Sequence, residues 1–315
     1  MRYRMLGKTG IQVSEISLGL WAVGGDAWGP VEDDESLAAM RTAFDAGVNF
    51  FDTADVYGRG HSEELLGRFL ADVPRQDVYV ATKGGLWRGR QPNPYVDEQM
   101  VVEDCEASLR RLGVDYIDVY QDHVWWDENT EVFAAALKRL KEQGKVRFVG
   151  LSANDHEYVR HFDDAIGGMD TLQLDYSMLN REPEDATLPY CEANGVGVIV
   201  RGPLAMGKLA GKFTADSEFP AGDIRGEWVH GEQRAGYLRD LATVGRLSFL
   251  ADERTLAQAA LAYVLAHPTV STTIPGAKRP SQVTDNVAAV DHPLSDQELE
   301  RIAAALSQPA ADTER

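Results

Sequence analysis

The chain has 315 residues and a formal net charge of −19, from 50 acidic and 31 basic side chains. The acidic residues are spread over predicted helices, which favours solubility and argues against nucleic acid or an anionic membrane as a partner. No apolar run approaches the roughly 20 residues of a membrane-spanning helix, and the N-terminus lacks the apolar core of a signal peptide. Two distant cysteines, Cys105 and Cys191, predict neither a disulfide framework nor a metal site. We therefore expect a cytoplasmic protein, for which small neutral or phosphorylated partners remain open.

The predicted elements begin with a polar two-stranded hairpin over residues 2–15, which is suited to covering one end of a larger core. Apolar strands are then predicted at residues 16–21, 48–54, 78–83, 116–123, 146–153, 171–177, 197–201 and 269–275. Helices are predicted from about residue 34 and at 62–71, 97–112, 129–143, 155–166, 184–194, 255–266 and 280–290. A closing helix at 295–306 starts with Ser295 and Glu298, the signature of a capping box.

Eight strands alternating with helices predict one fold class. Strands that are apolar throughout belong in a parallel sheet covered on its outer face, and eight such units close into a (β/α)8 TIM barrel. We expect residues 1–315 to form a single domain of this kind, with the hairpin as an N-terminal cap and the closing helix as an addition. A doubly wound open sheet is the alternative, but no G-x-G-x-x-G follows the first strand.

Polar side chains stand where neighbouring strands end, which is where a barrel of this class carries its active site. Asp52 closes the second predicted strand, Tyr57 lies on its loop, and Lys83 and His123 close the next two. Each has an ordinary explanation on its own. Asp52 would cap a helix or turn and Tyr57 would be an aromatic residue at the rim, whereas Lys83 would be a solvated surface lysine and His123 a hydrogen-bonded histidine of the core. Together they predict a proton donor, because a buried Lys83 would pair with Asp52 and lower the pKa of Tyr57. His123 would orient a carbonyl oxygen or relay a proton to it.

Three motifs carry a family resemblance: FDTADVYG at 51–58, ATKGG at 81–85 and YQDH at 120–123. With them the chain resembles the aldo-keto reductases over about residues 4–286. The resemblance implies a (β/α)8 barrel that binds a nicotinamide dinucleotide without a Rossmann motif. It also implies hydride transfer to an aldehyde or ketone, or the reverse reaction, with Tyr57 as the acid.

The resemblance further implies a cofactor site along the later strand ends. Ser152 and Asn154 match the family's pair that hydrogen-bonds the nicotinamide carboxamide, with Gln173 for the same amide and Tyr176 nearby. Without the resemblance, an ordinary helix cap before Asp155 is the preferred interpretation of Ser152 and Asn154. The other positions assigned to the cofactor are Gly19, Leu20, Trp21, Asp52, Arg201, Gly202, Pro203, Leu204, Lys212, Arg225, Gly276, Lys278, Arg279, Gln282 and Asn286.

The chain departs from the family pattern at two places in this cofactor site. Many members stack an aromatic ring on the nicotinamide at the position of Arg201, so a guanidinium plane would have to stack there instead. The commoner Lys-Ser pair is replaced by Gly276 and Ala277, which passes the recognition of a 2′-phosphate to Lys278 or Arg279. On that basis we expect NADP(H) to be preferred over NAD(H). The side chains of Lys278 and Arg279 would also fit the solvated start of a helix.

The substrate pocket is predicted from aromatic residues in loops on the catalytic side, which would clamp an apolar or sugar-like ring or simply stiffen the loops. The pocket candidates are Trp21, Trp87, Trp125 and Trp126, with Tyr95 and Trp228 in the same predicted loops. Two other functions stay open. One is a redox-sensing subunit that binds NADPH with little turnover, and the other is a Schiff-base enzyme with Lys83 as the nucleophile.

Overall fold

The computed structural model describes residues 1–85, 95–123 and 127–308, with the backbone alone at 127–129. It has the predicted N-terminal hairpin, formed by the antiparallel strands β1 (Tyr3–Met5) and β2 (Gln12–Ser14). Within these ranges every helix is too short or too polar to cross a bilayer.

The main sheet has eight parallel strands whose spatial order follows the chain. They are β3 (Leu18–Gly19), β4 (Phe50–Asp52), β5 (Tyr79–Gly84), β6 (Ile117–Asp122), β7 (Val146–Ser152), β8 (Thr171–Asp175), β9 (Gly197–Arg201) and β10 (Val270–Thr273). Parallel bridges from Ile16 to Thr273 and from Gly19 to Gly276 join the first strand to the last. The sheet therefore closes into the predicted (β/α)8 barrel.

The helices surround this barrel and agree with most of the predicted positions. They are α1 (Asp33–Asp45), α2 (His61–Leu70), α3 (Glu98–Leu112), α4 (Asp127–Glu142), α5 (His156–Ile166), α6 (Thr187–Asn194), α7 (Arg234–Arg246), α8 (Leu256–Ala266), α9 (Pro280–Val287) and α10 (Asp296–Leu306). The last of these begins with the predicted capping box of Ser295 and Glu298. Helix α7 lies in the stretch 205–254, where the sequence predicted no element.

Two apolar clusters explain why the strands are apolar on both faces. The larger cluster lies between the strands and the helices, and the smaller one fills the barrel with Phe50, Ala81, Val119 and other buried side chains. Leu6 of the hairpin belongs to this inner cluster, so the hairpin closes one end of the barrel. The opposite end, where the strands finish, is left for polar side chains.

Candidate active site

A buried ion pair lies at the carboxyl ends of β4 and β5. Asp52 is in register with Ala81, so Lys83, two residues later on β5, faces the same interior one layer nearer the mouth. Lys83 Nζ donates to Asp52 Oδ1 at 2.7 Å and to the carbonyl of Thr53 at 2.7 Å, and the Lys83 side chain has no exposed surface. Gln173 on β8 donates to the other carboxylate oxygen of Asp52 at 2.7 Å. Both oxygens of the carboxylate are therefore held by partners.

Each member of the pair favours the charged form of the other. Burial acts to lower the pKa of Lys83, but Asp52 and Tyr57 outweigh it, so the pKa of the ammonium is raised. Burial raises the pKa of Asp52, and the charge of Lys83 opposes that rise. A protonated amine with two fixed acceptors is a poor nucleophile, which argues against Lys83 as a Schiff-base residue.

Tyr57 lies beside this ion pair. The centroid of its ring is 5.2 Å from Lys83 Nζ and 6.1 Å from the centroid of the His123 ring, which stands edge-on to it. Burial raises the pKa of Tyr57 above 10, and Lys83 lowers it by less than burial raises it. The predicted decrease in the pKa of Tyr57 is therefore wrong for the free protein. The loss of solvent destabilises the phenolate more than the ammonium of Lys83 stabilises it. The phenol thus stays protonated at neutral pH, as a proton donor must.

His123 follows β6 and is 8% exposed. Its backbone N–H donates to the carbonyl of Gly84 at 3.0 Å, which fixes it next to the end of β5. Burial, and then the charges of Lys83 and Arg201, hold the pKa of His123 well below 6.5. The ring is therefore neutral at physiological pH and carries one N–H for a carbonyl oxygen. The predicted set of Asp52, Tyr57, Lys83 and His123 converges at one end of the barrel.

Comparison with known proteins agrees with this geometry. The model of the aldo/keto reductase family matches residues 15–307. The chain belongs to this family. It is 34% identical to aldo-keto reductase YhdN of Bacillus subtilis over 90% of this chain and 87% of that protein. It is 35% identical to the NADH-specific methylglyoxal reductase of Escherichia coli over 92% of this chain and 94% of that protein.

A solved structure extends the likeness to the whole fold. The glycerol dehydrogenase of Gluconobacter oxydans superposes with a TM-score of 0.83 at 29% identity, covering 99% of this chain and 98% of that one. The predicted family, fold and oxidoreductase class are therefore confirmed. Within the described residues no group of three or more His, Cys, Asp or Glu side chains is placed to hold a metal ion.

The residues predicted for the nicotinamide amide of this aldo-keto reductase lie on β7, on β8 and in the loop after β7, and Gln173 among them contacts Asp52. Ser152 is fully buried at the end of β7. The side-chain oxygen of Asn154 accepts from the backbone N–H of Asp175 at 2.9 Å and from Arg201 Nη2 at 3.1 Å. Asp155 caps α5, so Ser152 and Asn154 are not needed as helix caps. Their contacts with a cofactor stay predictions.

The loop after β9 has an unusual backbone. Gly202 has φ +66°, and two consecutive residues with side chains, Ala205 and Met206, have φ of 47° and 56°. Non-glycine residues rarely adopt this left-handed region, and such strain concentrates at ligand-binding loops. Pro203 is buried and Leu204 half-buried, whereas Lys212 is exposed. The strained turn lies in the segment that the family resemblance assigns to the pyrophosphate.

The loop after β10 carries the residues predicted for the adenosine end. The isolated bridge places Gly276 alongside Gly19, next to the buried Leu20. Lys278 Nζ donates to the carbonyls of Trp28 and Gly29. Arg279 is 66% exposed and makes a long ion pair of 3.4 Å with Glu35. The side chain of Gln282 accepts from the backbone of Lys278 at 2.9 Å, and Asn286 is buried in α9.

Two further predicted cofactor residues already have other partners. The hydroxyl of Tyr176 donates to Glu184 at 2.7 Å, and its ring packs against Tyr263 of α8. Arg225 forms a two-pronged hydrogen bond to Asp223, at 2.8 and 2.6 Å, among aromatic rings that include Trp28. Each would have to change partners to reach a cofactor, so both assignments stay predictions.

The aromatic residues divide into two groups. Trp21 is 39% exposed and stacks on Tyr57 at 5.9 Å, and Trp28 meets Trp21 edge-on at 5.1 Å. Trp28 was missed by the sequence analysis, although it lies in the loop that follows Trp21. Trp228 and Tyr95 are buried in packing clusters, so a substrate clamp at either is wrong. Trp87, Trp125 and Trp126 lie outside the described residues.

Proposed function

We propose that the converging side chains reduce an aldehyde or ketone to an alcohol, or catalyse the reverse, with Tyr57 as the proton donor. The observation that carries this proposal is the buried Lys83–Asp52 pair beside the protonated phenol of Tyr57. A fixed ammonium next to a phenol stabilises the phenolate that forms when the proton leaves. Small-molecule carbonyls and alcohols are the proposed partners.

Each residue has a defined task in this proposal. Tyr57 gives its proton to the carbonyl oxygen while His123, which is neutral, orients that oxygen through a ring N–H. Lys83 stabilises the resulting phenolate, and Asp52 together with Gln173 keeps Lys83 in place. Preorganised charges of this kind supply a large part of the rate in a site that excludes water.

The described residues fit a bound NAD(P)H, which supplies the hydride when it is present. Ser152, Asn154 and Gln173 place amide and hydroxyl groups at the ends of β7 and β8, suited to a carboxamide. The strained turn at Ala205 and Met206 follows β9, and strain of this kind is expected where a loop holds a diphosphate. The cofactor contacts of these residues are part of the proposal.

Within this function we propose a preference for NADP(H) over NAD(H). Arg279 is mostly exposed and its ion pair with Glu35 is long, so a 2′-phosphate would compete for its guanidinium at little cost. The names of the relatives show that they differ in the cofactor they use. The Escherichia coli relative is called NADH-specific, and a relative in Schizosaccharomyces pombe carries NADP(+) in its name.

The test is the oxidation of NADPH and NADH by the purified protein in the presence of aldehydes, ketoses and aromatic carbonyls. We expect turnover with at least one class, a higher kcat/KM for NADPH, and loss of turnover in Tyr57→Phe. Turnover that survives Tyr57→Phe would show that the acid is misassigned. A higher kcat/KM for NADH would overturn the cofactor preference alone.

A second function is favoured by the names of two relatives. The chain is 33% identical, over 92% of its length and 92% of that protein, to a probable voltage-gated potassium channel subunit beta of Arabidopsis thaliana. A redox-sensing role would combine tight NADPH binding with slow oxidation by every carbonyl in the panel. The same assay therefore separates the two functions.

We also propose a cytoplasmic location. Cys105 and Cys191 are free thiols, each buried, and burial raises the pKa of both. Unpaired thiols are typical of proteins in a reducing compartment. Localisation of a tagged full-length chain, with soluble and secreted fractions compared, tests this proposal.

A further inference from the structure

Arg201 ends β9 and is held over the ends of the neighbouring strands. Its carbonyl accepts from the backbone N–H of Tyr176 at 3.4 Å, and its guanidinium donates to Asn154 at 3.1 Å. Asn154 is held in turn by the backbone N–H of Asp175. The half-buried guanidinium is therefore fixed at the mouth of the barrel and does not extend freely into solvent.

The positive charge of Arg201 reaches the catalytic groups from the opposite side of the mouth. For Asp52, Tyr57 and His123 the largest influence on the pKa is burial, and Arg201 is among the charges that lower it. Among the described residues, no carboxylate lies within ion-pair distance of this guanidinium. Burial raises the pKa of the Asp175 carboxyl, and the charge of Arg201 opposes that rise. The guanidinium is thus a cation without a neutralising ion pair, placed beside the reacting centre.

The reaction changes the charge of the cofactor at this place. When a carbonyl is reduced, its carbon gains a hydride from the neutral dihydronicotinamide ring and its oxygen gains a proton from Tyr57. The carbonyl is reduced, and the ring is oxidised to a cation. Two like charges about 5 Å apart repel strongly at the effective dielectric constant of a protein surface, enough for at least a tenfold difference in affinity.

We propose that Arg201 selects the redox state of the cofactor, so that the site binds NAD(P)H more tightly than NAD(P)+. This proposal rests on the proposed function and adds a role for the residue that replaces an aromatic ring. An aromatic face would attract the oxidised ring, because a π system is negative above its plane. A guanidinium repels it, which promotes release of the oxidised cofactor after each reduction and disfavours alcohol oxidation.

The experiment compares the dissociation constants of NADP+ and NADPH, measured by quenching of tryptophan fluorescence in the full chain. NADP+ and NADPH carry the same phosphates. Contacts with the phosphates therefore contribute equally to both dissociation constants and cancel in the ratio of the two. The variants are Arg201→Gln and Arg201→Tyr, with Arg201→Lys as the control that keeps the charge. Arg239→Gln removes an exposed cation from α7, outside the predicted cofactor site, and serves as a second control.

In the wild type and in both controls we expect the Kd of NADP+ to exceed that of NADPH by about tenfold or more, following the charge argument. In Arg201→Gln the ratio should fall about tenfold, and in Arg201→Tyr at least as far. An unchanged ratio in both neutral variants, with both forms still bound, would overturn the role of Arg201 and leave the proposed function intact. Failure of the wild type to bind either form would overturn both proposals.

Discussion

The ammonium of Lys83 lies 2.7 Å from a carboxylate oxygen of Asp52, and both side chains are buried. Lys83→Met removes one charge and leaves the other buried without its counter-ion. We expect the free energy of unfolding to fall by about 3–5 kcal/mol, the usual cost of breaking a buried pair from one side. Urea denaturation followed by circular dichroism measures it.

The double variant Asp52→Asn with Lys83→Met is the control for this effect. It removes both charges and keeps an amide that Gln173 can still hydrogen-bond, so stability should largely return while turnover does not. Equal instability of the single and double variants would show that lost packing around Lys83, and not the uncompensated charge, causes the effect.

Tyr57→Phe removes one hydroxyl at the centre of the site and keeps the ring that stacks on Trp21. General acid catalysis typically contributes a factor of about 10²–10⁴, so kcat should fall by that order. The dissociation constant of NADPH should change by less than about twofold, because the ring and its packing are kept. Stopped-flow absorbance and fluorescence titration give the two quantities.

The matched control for Tyr57→Phe is Tyr3→Phe. That phenol is 46% exposed and donates to the carbonyl of Gly47, away from the catalytic set. It should leave kcat unchanged. A comparable loss of kcat in both variants would argue that general destabilisation, and not proton donation, explains the result for Tyr57.

Gly58 follows Tyr57 with φ +58°, and a Cβ built on it would lie 2.1 Å from the carbonyl oxygen of Gly24. Gly58→Ala must therefore separate the Tyr57 loop from the loop that carries Trp21. We expect kcat/KM to fall by at least about tenfold, since small misplacements of catalytic groups cost that much. Steady-state kinetics on a good carbonyl substrate measures it.

Gly25→Ala is the matched variant, because Gly25 also has a positive φ of 83° but has no atom within 4 Å of a built Cβ. It carries the backbone strain without the collision. Its kcat/KM should stay within about threefold of wild type, with a stability loss of about 1 kcal/mol from the left-handed conformation. Equal kinetic losses in the two variants would mean that strain, not the contact between the loops, is responsible.

His123 predicts a specific dependence of stability on pH. Its pKa in the folded protein lies well below 6.5, chiefly because it is buried, whereas the unfolded chain titrates near 6.5. As the pH falls below about 6.5, the unfolded state takes up a proton that the folded state does not, so stability falls. Above that value the full contribution is present.

The measurement is the unfolding free energy of wild type and His123→Gln between pH 8 and pH 5. Below pH 6 we expect the free energy of unfolding of the wild type to fall by about 1 kcal/mol more per pH unit than that of the variant. The reason is that one pKa unit corresponds to about 1.4 kcal/mol. Parallel curves for the two proteins would show that His123 takes up its proton equally in the folded and unfolded states, so that burial does not lower its pKa.

The sequence allowed much of the site to be predicted because strand ends are local features. Asp52, Lys83 and His123 each follow an apolar run that ends in a turn, and a closed parallel barrel necessarily brings such positions to one face. Trp28 could not be found in this way, since its contact with Trp21 depends on how the loop folds back. The partners of Lys278 and Arg225 were equally inaccessible, because they come from loops distant in the chain.

The amino-acid pattern by itself determined the barrel, its hairpin cap and its last helix, because periodicity is written along the chain. It also predicted four candidate catalytic side chains from the chemistry of the strand ends. Tertiary structure alone decided the balance of charges among them. Whether Lys83 lowers the pKa of Tyr57 below 10 depends on how much solvent the closed barrel removes, and burial is a property of the packed fold. The same holds for Gln173, which reaches Asp52 only because the sheet closes on itself.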